Sequence, residues 1–503
     1  MLKKIQTALI SVYYKDRLDE IVQLLAAADV KIFSTGGTYN YIRGLGISVE
    51  KVEDLTGYPS ILGGRVKTLH PKIFGGILGR SDKATDRDEM KEYEIPAFDL
   101  VIVDLYPFEQ TLRQTTDENA IIEKIDIGGI SLIRAGGKNY AEVCIVPSVE
   151  HYEEFIEILK RGAMTTLEER RRFAGYAFAV SSHYDAAISN WFNGDDNGLR
   201  LSKNGHSPLR YGENPHQRGV FYGQMEEVFE KLRGKELSYN NLLDLDAGLN
   251  LLAEFEEPTI AILKHNNACG LASRHLLSEA WEAALAGDPV SAFGGIIVAN
   301  RKVDYATAQQ INELFFEAII APDFEESAFR TLSSRKNRII LQLRSGVFPK
   351  KQYKSILNGI LAQERDQQTE GPEEMKTVTA KVPSAAELED LVFANKIVKH
   401  TRSNAIVLAK DKQLIGSGIG QTSRVDALKQ AIAKAKEFGF SLNGAVMASD
   451  AFFPFADSVE IASREGIAAV VQPGGSVRDN ETLDFCNRAG MSMVFTGVRH
   501  FKH

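Results

Sequence analysis

Thr259-Ile260-Ala261-Ile262-Leu263-Lys264-His265-Asn266-Asn267-Ala268-Cys269-Gly270 runs from a β-branched apolar stretch straight into an ammonium, an imidazole and two amides. Such an apolar run is a strand buried on both faces, and its polar end is where open α/β sheets meet their ligands. A helix is expected to follow, with Leu276, Leu277, Ala280, Trp281, Ala284 and Leu285 on one face and Gly287 closing it. Strand, polar end and helix make an α/β unit. Two readings of the polar end stay open: a turn in which Gly270 supplies a positive φ, or a ligand site.

The same alternation extends outward in both directions. Leu9-Ile10-Ser11-Val12, Val30-Lys31-Ile32-Phe33 and Leu100-Val101-Ile102-Val103 read as strands, and Leu18, Ile21, Val22 and Leu25 mark a helical face between the first two. Pro107 stops the third strand soon after Asp104-Leu105-Tyr106. Asn193-Gly194-Asp195-Asp196-Asn197-Gly198 is polar, glycine-rich and without period, so it reads as a linker and sets domains of 1–198 and 199–503. In the second domain the strand–helix alternation occurs around 258–299 and again around 404–476, as a duplicated α/β unit would show. Between them, 345–385 is a polar surface excursion whose role is not legible.

The 503 residues are 44% hydrophobic and 25% charged, ordinary globular composition with room for several domains. A formal charge of −8 speaks against a bulk nucleic-acid binder and leaves small anions as ligands of local basic clusters. Cys144, Cys269 and Cys486 are far apart and match no metal spacing, which suggests a reducing compartment, the cytoplasm. No apolar run approaches a membrane span or an export signal.

Several polar clusters carry chemistry. Ser34-Thr35-Gly36-Gly37-Thr38 follows a strand and offers hydroxyls and amides to a phosphate, or is simply a turn. Arg65, Lys67 and Thr68 could bind a phosphate or an oxyanion, or form a solvated basic loop. Asp126 and Lys138 bracket one short helix, where they could be its N-terminal cap and its C-terminal dipole partner. Later in the chain Arg210-Tyr211, Gly294 beside the ring of Phe293, Asn404, Arg424 and Arg499-His500-Phe501 supply amide, guanidinium and aromatic groups, the last in what is ordinarily a loose tail. Asp457-Ser458-Val459-Glu460 fits a capping box.

Taken in order, these motifs resemble the family of bifunctional purine biosynthesis proteins that join AICAR transformylase to IMP cyclohydrolase, from Ala8 to His503. The match rests on Ser34–Thr38, Arg65-Val66-Lys67-Thr68-Leu69-His70-Pro71, Asp126-Ile127-Gly128-Gly129, Lys264–Asn267, Gly420-Gln421-Thr422-Ser423-Arg424 and Ala451-Phe452-Phe453-Pro454-Phe455. The resemblance implies a methylglyoxal-synthase-like, doubly wound amino-terminal domain and a transformylase of two cytidine-deaminase-like subdomains. It implies catalysis of formyl transfer by Lys264 and His265. It points to Arg210, Tyr211, Gly294, Asn404, Arg424, Phe452, Arg499 and Phe501 for the nucleotide, and to Asp457 and Ser476 for the folate. For ring closure it points to Lys67, Tyr106, Asp126 and Lys138, with Ser34, Gly37, Thr38, Arg65 and Thr68 near the phosphate. Expected ligands are AICAR, FAICAR, IMP and 10-formyltetrahydrofolate, with no catalytic metal, no nucleic acid and no membrane. A homodimer sharing its transformylase sites is implied too.

Two departures are visible. The family's usual Ser-Val-Ser-Asp-Lys is Ser11-Val12-Tyr13-Tyr14-Lys15, and its proline after the two asparagines is Ala268. Rival readings are a zinc nucleobase deaminase, for which the His-x-Glu and Pro-Cys-x-x-Cys ligands are missing, and a non-catalytic nucleotide sensor. A nucleophilic Cys269 is a third, weaker because lone cysteines are usually small buried hydrophobes.

Overall fold

The computed structural model describes residues 2–194, 198–346 and 348–503. The chain forms two compact units, Met1–Asn204 and Gly205–His503. Part of the expected linker, Asp195 to Asn197, lies outside the described residues.

The first unit is built on β1 (Thr7–Ser11), α1 (Leu18–Ala27), β2 (Lys31–Ser34), α2 (Gly36–Gly44), β3 (Glu50–Lys51), β4 (Leu100–Val103), α3 (Gly128–Lys138), β5 (Cys144–Val146) and the long α4 (Leu167–Asn193). The sheet order is β3-β2-β1-β4-β5, all parallel. Successive residues point to opposite faces, so Ala8 and Ile10 join one core and Leu9 and Val101 the other. The chain therefore winds to one side of β1 and then to the other, leaving a crevice at the carboxyl ends of β1 and β4.

The second unit contains β6 (Phe229–Arg233), α5 (Tyr239–Leu252), β7 (Thr259–Lys264), β8 (Asn267–Ser273), α6 (Leu277–Gly287), β9 (Ile296–Ala299), β10 (Ala318–Ala321) and β11 (Ile339–Leu343). An exposed hairpin follows, β12 (Lys351–Ile356) and β13 (Gly359–Glu364), then β14 (Lys376–Thr377). The pattern then repeats as α7 (Ala385–Lys399), β15 (Ile406–Lys410), β16 (Gln413–Gly418), α8 (Arg424–Glu437), β17 (Val446–Ser449), α9 (Asp457–Arg464), β18 (Ala469–Gln472) and β19 (Ser492–Phe495).

One twelve-stranded sheet holds both repeats in the order β6-β11-β10-β9-β7-β8-β16-β15-β17-β18-β19-β14. The order reads the same from either end when each strand is exchanged for its repeat. One face carries a core common to both halves, with Leu245 and Leu249 of α5 beside Leu391 and Val398 of α7. On the other face each half has its own core, around Trp281 of α6 and around Leu428 of α8.

The Thr259–Gly270 stretch departs from the expected strand, polar end and helix. β7 turns at His265-Asn266, both with positive φ, and returns antiparallel as β8 before α6 begins. Gly270 does not supply the positive φ; it lies in β8, where an added Cβ would stand 2.0 Å from the Ala284 carbonyl oxygen of α6. The glycine is there to let a helix approach a strand. At Asp457 the expected capping box is absent, because Ala456 is already helical and Asp457 is the first residue of α9, its Oδ1 accepting from the Ser458 amide at 2.7 Å.

Strand direction decides where the polar residues of this unit meet. β7 runs against β9–β11, and β8 pairs antiparallel with β16, which reverses the second half. Hence the carboxyl end of β7, the amino ends of β9–β11 and the carboxyl ends of β17–β19 share one edge of the sheet.

Candidate functional site

In the first unit a cavity of about 790 Å³ opens at that crevice, walled by Ser11, Thr35, Lys67, Asp104, Tyr106 and Asp126 among others. Of the expected residues, Gly37, Thr38, Arg65, Thr68, Lys67, Tyr106 and Asp126 line it. Ser34 does not: its hydroxyl, fully buried, donates to the Ile10 carbonyl at 2.7 Å. Thr38 also spends its hydroxyl on the backbone of Val12, donating at 2.9 Å and accepting at 3.1 Å. The cradle therefore presents Gly37, Thr35 and the paired hydroxyls of Thr35 and Ser11, 3.2 Å apart. Arg65 is paired with Glu123, which leaves Lys15, Lys67 and Lys124 as wall cations with no carboxylate in ion-pair range among the described residues, the Lys15 ammonium being turned to the Val12 and Tyr13 carbonyls.

Asp126 and Lys138 are not brought together. Asp126 caps α3, its Oδ1 accepting from the Gly129 amide at 2.5 Å, while Lys138 closes the last turn, exposed and outside the cavity. Ten residue rises separate Gly128 from Lys138, about 15 Å of helix. Burial raises the Asp126 carboxyl above its ordinary pKa, against the pull of the Gly129 amide and of Lys67. Burial also lifts Tyr106, with Asp126 and Asp104 adding to it.

Three groups in and around this cavity have roles that only the fold reveals. Asp104 is lifted to about 6 by burial, although it accepts from the Tyr13 and Tyr14 amides and faces Lys15. The Tyr184 hydroxyl of α4 accepts from the Asp126 amide at 2.8 Å and donates to the Lys124 carbonyl at 2.5 Å, fixing the loop that carries the carboxylate. Tyr13, the departure from the family pattern, packs edge-on against Tyr106 with centroids 5.7 Å apart, and Lys124 sits over both rings. It is thus an aromatic wall of the cavity.

In the second unit, Lys264 ends β7 half-buried and donates through Nζ to the Phe293 carbonyl at 2.9 Å, beside Gly294. His265 and Asn266 form the turn, with φ of 50° and 65°. Below it Asp244 of α5 accepts from the Asn266 amide at 2.6 Å. Burial raises the Asp244 carboxyl, while that amide, His265 and Lys264 hold the rise down. Lys264 and His265 form no ion pair among the described residues, and His265 is exposed. Asp244 comes from a helix remote in sequence, and only the fold reveals it.

The same edge carries the nucleotide candidates of the second half. Asn267 Oδ1 accepts from the Arg402 amide at 3.0 Å, tying the turn to the segment that holds Asn404. Asn404 is locked to Gln421 by its side chain and by backbone bonds in both directions. Arg424 starts α8 and reaches Ser449 at 2.8 Å and Asp450 at 2.6 Å. Arg499 stacks on Phe501, 4.3 Å to the ring centroid. The tail is not loose: His500 donates its amide to the Asp450 carbonyl, and Lys502 bonds Ser403. Phe452 is 37% exposed on the same edge. Asp457 and Ser476 stand further out, where Arg478 over the ring of Phe455 joins their two loops. Arg210, its guanidinium over Tyr211, donates its amide to the Leu237 carbonyl, and the Tyr211 carbonyl accepts from the Tyr239 amide, so the pair adjoins the start of α5. From β7 to the strand that follows Asn404 is three strand spacings, about 14 Å along the edge.

Cys269 is mostly buried, its thiol donating to the Ile262 carbonyl, and burial pushes it up to about 12. It is an inert core thiol. Among the described residues, no group of three or more His, Cys, Asp and Glu side chains is placed to hold a metal. No helix of the described chain is long and apolar enough to cross a membrane.

A doubly wound unit with a crevice lined by glycines, hydroxyls and lysines, followed by a duplicated α/β unit with a lysine–histidine turn, is the architecture of an enzyme with two candidate sites. Residues 17–131 match the MGS-like domain family, and residues 136–434 match the AICARFT/IMPCHase bienzyme family. The "Bifunctional purine biosynthesis protein PurH" of Bacteroides thetaiotaomicron is 60% identical, covering 100% of this chain and 99% of that protein. Proteins of the same name from Aquifex aeolicus and Persephonella marina are 48% and 46% identical, each over 99% of this chain and 100% and 99% of their own lengths. The chain belongs to the AICARFT/IMPCHase bienzyme family of bifunctional purine biosynthesis enzymes, with formyltransferase and IMP cyclohydrolase activities.

Proposed function

We propose that residues 205–503 transfer the formyl group of 10-formyltetrahydrofolate to the amine of AICAR, and that the first unit closes the resulting FAICAR to IMP. The observation that carries the first half is the Lys264–His265 turn, whose ammonium and imidazole have no carboxylate in ion-pair range among the described residues and which faces the edge that gathers Asn404, Arg424, Phe452 and Arg499. The aromatic amine is a weak nucleophile, so its proton must leave as the bond to the formyl carbon forms. His265 accepts that proton and Lys264 stabilises the tetrahedral oxyanion; collapse expels the folate nitrogen, which takes a proton back. Asp457 and Ser476 hold the folate at the outer end of the same edge, and Arg210, Tyr211 and Gly294 complete the nucleotide side.

In ring closure the carboxamide nitrogen attacks the formyl carbon and water is lost, so orientation of two ends of one molecule matters most. Lys67 and the Gly128 amide face the developing oxygen, Asp126, held by the Gly129 amide, moves the proton from nitrogen, and Tyr106 orders the ring. Gly37, Thr38, Arg65 and Thr68 serve the phosphate, with Thr35, Ser11 and Lys124 added by their place on the wall. Ser34 supports that loop from behind, and Lys138 acts as a helix-end cation. Three isolated thiols support a cytoplasmic setting, and the family resemblance supports a homodimer.

The test is an assay with AICAR and 10-formyltetrahydrofolate that follows FAICAR and IMP separately. Both should form in sequence, and Lys67→Ala should let FAICAR accumulate by slowing closure about 100-fold. Closure at the parent rate in that variant removes Lys67 from the chemistry. Ligand binding with no turnover would instead make the chain a sensor.

A further inference from the structure

His500 is 2% exposed, yet it is gripped by two carboxylates. Its Nδ1 lies 2.6 Å from Asp366 Oδ2 and its Nε2 lies 2.8 Å from Glu370 Oε2. Both acids belong to the excursion between the repeats, so that segment reaches across to the tail. Glu370 is itself 1% exposed and also accepts from Asn395 of α7 at 2.9 Å. A neutral imidazole has one N–H and one lone pair, and between two carboxylates its lone pair would face an anion. Only the imidazolium donates to both.

The surroundings favour the cation further. Asp450, whose carbonyl accepts the His500 amide, gives Oδ1 to Arg424, and both Asp450 Oδ2 and Glu370 Oε1 are buried without a hydrogen-bond partner. Of the nearby cations, Lys399 on α7 is turned to Glu254 and to the Gln368 carbonyl, Lys502 to the His400 carbonyl, and His400 to Glu254. Burial works against charge on His500, but the bonds to Glu370 and Asp366 outweigh it and hold its pKa above the ordinary value. Arg499 and Phe501 flank this anchor, stacked on each other, on the edge assigned to the nucleotide.

We propose that His500, held as an imidazolium between Asp366 and Glu370, is the positioning residue that fixes Arg499 and Phe501 for nucleotide binding, so that AICAR binds weakly once His500 loses its proton. The proposal rests on the assignment of AICAR to the Asn404, Arg424 and Arg499 edge. It also gives the excursion a job: it supplies the two acids of a clamp.

The experiment uses the full chain and measures KM for AICAR and kcat of formyl transfer from about pH 6.5 to about pH 9.5, with closure of FAICAR followed on the same preparations. In the parent, KM should rise about fivefold or more on the alkaline side while kcat changes less than about twofold. His500→Gln should show the raised KM already at neutral pH, with the alkaline rise gone. Glu370→Gln keeps the shape and removes one counter-charge, so the rise should move to lower pH, which simple loosening of the tail does not produce. A parent KM that is flat with pH, or a rise left in place by both variants, overturns the proposal. If His500→Gln loses closure as well, it has misfolded, and the parent profile with Glu370→Gln decides. A parent chain with no formyl transfer at all would defeat the AICAR assignment itself, a result distinct from a flat KM.

Discussion

The second unit contains the same turn twice, and the two copies differ in what they present. At one edge Lys264 donates to the Phe293 carbonyl, His265 and Asn266 take positive φ, and Asp244 receives the Asn266 amide. At the other edge Lys410 donates to the Asn443 carbonyl, Asp411 and Lys412 take positive φ, and Asp390 receives both of their amides at 2.8 and 2.7 Å. The neighbourhoods match as well. Gly294 donates to the Phe315 carbonyl where Gly444 donates to that of Gly466, and Gly270 admits Ala284 where Gly416 admits Ala431.

A lysine on a carbonyl, a left-handed pair and an aspartate beneath are therefore parts of the scaffold, and none of them alone marks an active site. The difference lies in the side chains. Lys412 is neutralised by Glu257 and Glu389, and the residue before it is an acid. In the first copy an imidazole takes the place of that acid and Asn266 the place of Lys412, while Lys264 and Lys410 alike have no carboxylate in ion-pair range among the described residues, and the edge the imidazole faces gathers Asn404, Arg424 and Arg499. Backbone strain at His265 is thus not evidence of function by itself, since Asp411 bears the same φ without that setting.

The comparison breaks first at the imidazole and the ammonium. His265→Ala or Lys264→Ala should lower formyl transfer about 100-fold to 10,000-fold, whereas Lys410→Ala should change it less than about twofold, measured as kcat/KM for AICAR. Equal losses from Lys264 and Lys410 would mean that the lysine is only a strut. A smaller effect separates the two aspartates. Asp244→Asn should slow transfer about tenfold by loosening the turn that aims His265, while Asp390→Asn should leave transfer intact and cost about 1–2 kcal/mol of stability in denaturant unfolding. The smallest contrast is expected where the copies do the same work. Gly270→Ala and Gly416→Ala should each lower the melting temperature by similar amounts, because in both a methyl group would meet a helix carbonyl, at 2.0 and 2.3 Å.

A pH dependence is expected of the first unit. Asp104, at about 6, holds its proton more tightly in the folded first unit than in the unfolded chain, where its ordinary value is 3.8. That contribution to stability is present at low pH and is lost as pH rises from about 4 to about 6. Asp104→Asn should flatten the stability of the first unit across this window, and an unchanged slope would show that the carboxyl is not buried as described.

Much of this was legible from local pattern. Leu100–Val103 is a strand as its composition says, the repeat around 258–299 and 404–476 is real, and the Asp126–Lys138 bracket is a helix with a cap and a dipole partner. The errors have one physical origin. Asn267-Ala268-Cys269-Gly270 looks like loop because small and polar residues dominate it, but they form a strand that needs small side chains to lie under α6. Ser34 looks available because a hydroxyl after a strand often is, yet Ile10, its partner, is on the neighbouring strand. Asp244, Asp104, Tyr184 and the His500 clamp depend on contacts between residues far apart in the chain, for which a single sequence carries no periodicity and no spacing.

The central claim is that the two reactions use separate side chains in separate units, with the histidine turn serving transfer alone. It is tested most directly by measuring FAICAR formation and FAICAR closure side by side on one preparation of His265→Ala. Transfer reduced about 100-fold or more with closure at the parent rate is the predicted result. Transfer near the parent rate, or both reactions lost together in a folded chain, would contradict it.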